Sequence, residues 1–211
     1  MKNIIILNLL IVTLFSTLSS FSQLPIAFKI GINNSKINES YNKNYTSLYL
    51  GFSSEYVLNK KVNILSELIY SIEGSKSSLD AWTNDQKTFL GTVDVINKLS
   101  KLNLPLLLQI KLYNDIKIAS GIQIAYILKN TEYFPSISSA SSQTTDNINL
   151  TNRLNFSIPI DIRYSNSKLP FYFNLRYNYG LNNIYKNGGK LNVLQFGLNY
   201  VIPKKFFKIS K

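Results

Sequence analysis

The stretch Lys101 to Leu112, KLNLPLLLQIKL, carries Leu or Ile at every even position, while the odd positions hold Lys, Asn, Pro, Leu, Gln and Lys. An extended chain turns successive side chains to opposite faces, so this segment has one wholly apolar face and one largely polar face. The two faces require different surroundings. The same two-residue period marks Ile26 to Asn33, Ser47 to Leu58, Val62 to Glu73, Ile116 to Lys129, Asn152 to Ser165, Phe171 to Leu181 and Leu191 to Ile202. With Leu99 to Leu112 these segments predict eight strands, and none of them has a helical period.

The connections alternate between long (34–46, 74–98, 130–151, 182–190) and short (59–61, 113–115, 166–170), so all long loops share one end. Asn59-Lys60-Lys61, Tyr113-Asn114-Asp115 and Asn166 to Pro170 have tight-turn compositions that close hairpins. The long connections are rich in Ser, Thr, Asn and Asp, most plainly Ser136 to Asp146.

Periodicity alone does not say which face points inward, and a soluble lipocalin-like barrel has the same alternation as a membrane barrel. Volume decides between them. The apolar face includes Leu102 to Leu112, then Ile116, Ile118, Ile122, Ile124, Tyr126 and Leu128, and further Leu154 to Tyr164 and Phe171 to Leu181 at alternate positions. Eight strands enclose a space just wide enough for ordinary side chains, and about forty large ones do not fit inside it. The opposite parity offers Ala27, Gly31, Gly51, Ser53, Ala119, Gly121, Ala125, Gly180 and Gly197, which suit a narrow lumen. The large face therefore points outward, and a closed barrel with an apolar exterior is stable in lipid.

The aromatic residues, 14 Tyr and 12 Phe, fit this reading because a bilayer gathers aromatic side chains at its two interfaces. Phe28, Tyr56, Tyr164, Phe171 and Tyr200 fall near the short turns; Tyr70, Tyr126, Phe156, Tyr177, Tyr179 and Phe196 fall near the long loops. Bacterial barrels keep short turns in the periplasm, which places both termini there and the long loops outside the cell. Pro105 and Pro159 interrupt the ladder of two strands, and local bulges are predicted at both.

Residues 1–22 read as a secretory signal peptide: Lys2, an apolar run from Ile4 to Leu18, then Ser20 and Ser22 before Gln23. The run is about 15 residues, short of the roughly 20 that span a bilayer. The mature barrel domain is then 23–211. The absence of Cys excludes disulfides and thiolate sites, and the absence of His excludes a Ser-His-Asp relay. A formal charge of +12 first suggests nucleic acid, but the Lys residues are scattered singly and the chain is exported. Anionic membrane lipid is the expected counter-charge, and no nucleic acid.

With the strands placed, the chain resembles the PorT-like outer-membrane β-barrel family of Bacteroidetes. The likeness rests on KIGINNS (Lys29 to Ser35), SELIYSIEG (Ser66 to Gly74), LNLPLLLQIK (Leu102 to Lys111), ASGIQIAYIL (Ala119 to Leu128) and LQFGLNYVI (Leu194 to Ile202). It implies an all-β, eight-stranded antiparallel up-and-down barrel in the cell outer membrane, and no assigned activity for most members. The tail Pro203 to Lys211 departs from barrels that end on an aromatic assembly signal, which here would be internal at Phe196 and Tyr200.

The inward parity carries Lys29, Glu55, Glu67, Glu73, Lys101, Lys111, Lys117, Arg153, Asp161, Arg163 and Arg176. These charges suit either an ion path or a lumen plugged by mutual pairing, and the narrow bore favours the plug. Glu67 and Glu73 share one strand face but lie about 20 Å apart at roughly 3.3 Å per residue, too far for paired acid and base work. Trp82, the single tryptophan, falls in the second long loop, where it contacts a partner, packs its own loop or rests on the membrane surface. Lys60, Lys61, Lys168, Lys204, Lys205 and Lys208 gather at the short-turn rim. The sequence thus predicts a non-enzymatic barrel without cofactor, binding a protein partner through its long loops or basic rim, with a narrow pore or small-solute channel as the alternative.

Overall fold

In the computed structural model, residues 25–38, 42–82, 89–135, 142–166 and 169–203 are described, and the predicted signal segment lies outside them. The alternating segments form strands β1 (Ile26–Ile37), β2 (Asn42–Lys43), β3 (Tyr45–Val57), β4 (Val62–Trp82), β5 (Phe89–Lys111) and β6 (Ile116–Phe134). They continue as β7 (Gln143–Asp146), a single 3-10 turn at Ile148–Leu150, β8 (Leu154–Ser165), β9 (Phe171–Gly180), β10 (Asn183–Tyr185) and β11 (Gly188–Val201). Eight of them, in the order β1-β3-β4-β5-β6-β8-β9-β11, pair antiparallel with their chain neighbours, and β11 returns to β1. The registers Phe28↔Tyr200 and Gly31↔Gly197 close the wall, so no edge is left unpaired along it.

The apolar face points out. Leu104, Leu106 and Leu108 are 54%, 52% and 50% exposed, whereas Lys101, Asn103 and Gln109 on the same strand are buried. From Leu102 to Leu112 the apolar face covers roughly 33 Å of strand, or about 25 Å once tilted, the height of a bilayer band on such barrels. Aromatic pairs stiffen the outer surface at Phe28 with Phe52, ring centres 5.6 Å apart, and at Phe171 with Tyr200, 5.2 Å apart.

Several sequence expectations are corrected. Strands β4 and β5 do not stop at Glu73 and Leu99: they run on as a hairpin from Gly74 to Trp82 and from Phe89 to Lys98, in a region predicted as loop. β2 flanks this hairpin through Asn42↔Ser77, and β7 pairs with the far end of β6, so a five-stranded sheet β2-β4-β5-β6-β7 stands beyond the barrel wall. Trp82 is thus the last residue of a strand, its backbone opposite Phe89, and its side chain lies outside the described residues.

No bulge forms at either proline. Pro105 keeps its place opposite Gln123, and on the β4 side Ser66↔Leu106 and Ile69↔Asn103 hold one register with the intervening pairs missing. Pro159 likewise faces Asn178, with a gap between Ser120↔Ile160 and Gln123↔Ser157. A missing N–H removes local pairings on one side, and continuous pairing around the gap holds the register. The bulge lies elsewhere: Lys101 faces Ile127 but Ser100 faces Lys129, so Leu128 is an extra residue and Lys129 turns outward beside it.

Candidate functional site

The lumen is filled in layers. Nearest the short turns, Glu55 accepts from Lys117 Nζ at 2.6 Å and Arg163 Nη1 at 2.9 Å, and Asn63 Nδ2 donates to the same carboxylate. Strands β3 and β8 face each other across the barrel, so the Arg163–Glu55 pair spans its bore. The Arg163 guanidinium also lies 4.0 Å over the Tyr172 ring, whose hydroxyl is 3.0 Å from Ser53 Oγ.

At mid-height, Glu67 accepts from Lys29 Nζ at 2.6 Å and Arg176 Nη1 at 2.5 Å, and Arg176 Nε donates to Asp161 at 2.9 Å. Asn174 donates to Asp161 and Asn199 to Asn174, which extends the network around the wall. The glycines make room here. A Cβ at Gly197 would stand 2.1 Å from the Tyr49 hydroxyl and one at Gly31 2.7 Å from its ring, so both strands are bare where Tyr49 crosses the lumen.

Above this, Lys101 Nζ donates to Glu73 at 2.8 Å and to Asn155 at 3.0 Å, while Ser71 Oγ donates to Glu73 at 2.6 Å and Asn103 to Ser71 at 2.7 Å. Each buried carboxylate thus meets at least one cation, the arrangement in which buried charge is tolerable. Toward the long loops the lining changes to apolar: Ile37, Leu99, Ile127, Ile184, Leu191 and Val193 pack as one buried cluster, with Ile148 and Tyr185 against it.

At the long-loop mouth lies a cup of about 380 Å³, within the usual range of small-molecule sites. Ser75, Asn97, Glu132, Asn147, Tyr185, Lys186 and Asn187 line it. Asn147 Nδ2 donates to Glu132 at 2.8 Å, and Asn97 Nδ2 donates to Asn130 at 3.1 Å while its Oδ1 accepts from no protein group.

A family model of the outer membrane protein beta-barrel domain matches residues 15–186. This chain belongs to that family. Of solved structures, Ail, the attachment invasion locus protein of Yersinia pestis, in complex with the heparin analogue sucrose octasulfate, aligns with a TM-score of 0.51 at 12% identity, over 85% of this chain and 99% of Ail. Neisserial surface protein A aligns with a TM-score of 0.51 at 12% identity, over 84% of this chain and 97% of that one. At such identities the likeness is one of fold. None of the curated proteins matches the chain.

Within this outer-membrane barrel, the structure brings together Glu55, Lys117 and Arg163, then Glu67, Asp161 and Arg176 with Lys29, then Lys101 with Glu73. Two predicted lumen charges are elsewhere. Lys111 is exposed at the end of β5, past the last buried layer. Arg153 precedes β8, escapes the alternation and lies exposed, donating to the Tyr126 hydroxyl at 3.2 Å on the outer wall. The apolar cluster was missed because inward Ile and Leu near strand ends do not differ in type from outward ones. At the short-turn rim Lys60 and Lys61 are exposed, while Lys168, Lys204, Lys205 and Lys208 lie outside the described residues.

Proposed function

We propose that this outer-membrane barrel is a closed, non-enzymatic interaction protein that acts through the cup and sheet at its long-loop end. The observation that carries the reading is the stacking of three ion-paired layers beneath an apolar cluster, which leaves the cup closed at its floor. A floor of this kind suits capture of a partner at the surface and not passage of solute. In this reading residues 1–22 are a cleaved signal peptide, 23–211 the barrel domain, both termini periplasmic and the long loops extracellular. It further places the chain in the PorT-like group of the family, on the segments quoted above. The basic rim at Lys60 and Lys61 is the second candidate contact, facing the periplasm.

The test is site-specific photocrosslinking in intact cells with the crosslinker at Lys186 or at Lys61. Adducts to a protein or envelope component at Lys186 are expected. Adducts at Lys61 alone would move the interaction to the periplasmic rim, and adducts at neither would overturn the interaction role.

A further inference from the structure

The alternation assigns Arg153 to the lumen side, and the structure turns it outward; Lys129 is exposed as well. The bulge at Leu128 places Leu128 and Lys129 together on the outer wall, and Arg153 lies exposed against Tyr126 just before β8 begins. In the ladder, Lys129 faces Ser100, and Lys98 is two residues further along β5, opposite Thr131 and Gly74. Lys98, Lys129 and Arg153 therefore share one patch of the outer wall, spread over β5, β6 and the start of β8.

The height of this patch matters. Tyr133, opposite Ile96, is the next exposed aromatic on β6, and below it Tyr126 and Tyr70 flank Leu102 in one cross-strand row at the end of the apolar band. Lys129 stands one pair of residues beyond that row and Lys98 two, which is roughly 7 and 13 Å along the strand. With the strands tilted by about 40°, these are heights of about 5 and 10 Å, so Lys129 stands within the headgroup layer, about 5–8 Å thick on each side of the hydrocarbon core, and Lys98 at its outer edge. Aromatic rings below and cations above form the usual order at a membrane interface.

Among the described residues, no acid neutralises these cations, and no ion pair engages Lys98, Lys129 or Arg153. The acids of the neighbouring sheet have other partners: Asp94 takes Ser78 and Lys43, Asp80 takes Thr92, Glu132 takes Asn147, and Asp146 takes the Ile148 backbone N–H. We propose that Lys98, Lys129 and Arg153 form a clamp for the phosphate of a lipid headgroup, seated on the outer wall with its acyl chains against Tyr126 and the leucines below. The clamp lies outside the lumen and the cup and does not depend on either.

The test uses the full chain folded in phosphatidylcholine vesicles with trace spin-labelled phosphatidic acid or spin-labelled phosphatidylcholine, comparing the motionally restricted fraction of each. Wild type should restrict phosphatidic acid preferentially at low salt. The variant Lys98→Ser, Lys129→Ser, Arg153→Ser should reduce that preference by at least about fivefold, the effect of losing even one surface cation. Lys60→Ser, Lys61→Ser is the comparison at the other rim. Heat-dependent gel mobility verifies that each variant is folded, and Arg153→Lys with Lys98 and Lys129 retained should keep the preference. The clamp is overturned if wild type shows no preference, if the triple variant keeps it, or if the rim variant lowers it as much.

Discussion

Arg176 and Glu67 meet at 2.5 Å across the full width of the barrel, from strands β9 and β4, which have three wall strands between them in either direction. Both side chains are fully buried, and Arg176 also holds Asp161. Arg176→Met would leave two carboxylates with one fewer cation. It is expected to destabilise the fold by about 3–5 kcal/mol, because removing one partner leaves buried charge uncompensated. Urea unfolding in lipid vesicles measures this. The combined variant Arg176→Met, Asp161→Asn, which keeps the Lys29–Glu67 pair, should recover part of the loss, and a single variant as stable as wild type would show the pair to be dispensable.

Gly197 and Tyr49 form a second cross-lumen fit. Gly197→Ala is expected to cost about 1–3 kcal/mol through overpacking, since its Cβ would meet the Tyr49 hydroxyl and the Asn174 side chain. Tyr49→Phe removes the obstructing oxygen and should partly rescue Gly197→Ala. Unfolding midpoints of the two single variants and the double variant check the coupling.

Asp94 stands in the sheet beyond the wall, where the Ser78 hydroxyl donates to it and Lys43 lies 3.8 Å away. The Ser78 hydrogen bond, then the Lys43 charge, hold its carboxyl below the ordinary value. A depressed carboxylate favours the folded sheet at pH above its unfolded value, and the contribution disappears as pH falls through the folded one. A carboxyl titration by nuclear magnetic resonance should show the low value in wild type and a rise in Ser78→Ala.

The proposed orientation has a clean probe because the chain lacks Cys. A membrane-impermeant maleimide should label Asp80→Cys in intact cells and Lys61→Cys only after the outer membrane is permeabilised. The reverse pattern would invert the barrel.

The wall was legible in Leu102 to Leu112 because lipid outside and a packed lumen inside impose opposite polarity on alternate residues. Where that contrast fades, the reading fades too. Ser77 to Asp80 and Gly91 to Asp94 stand beyond the wall with no residue fully buried, so their composition resembles loop although they pair as strands. The turn of Lys129 to the outside comes from one extra residue against β5, a property of register between strands and not of either strand alone. Arg153 was assigned by parity to a strand that begins only at Leu154. The lumen charges that do pair were readable as a group, but the partner choice, such as Glu55 with Arg163 across the bore, depends on which strands stand opposite.

The central claim is that the barrel is closed from end to end, and planar-bilayer recording of the purified, folded full chain tests it most directly. The expected result is a quiet membrane at all applied potentials, with no steps above background. Reproducible, ion-selective unitary conductance, altered by Glu55→Ala or Leu99→Ala, would contradict it and favour the narrow-pore alternative.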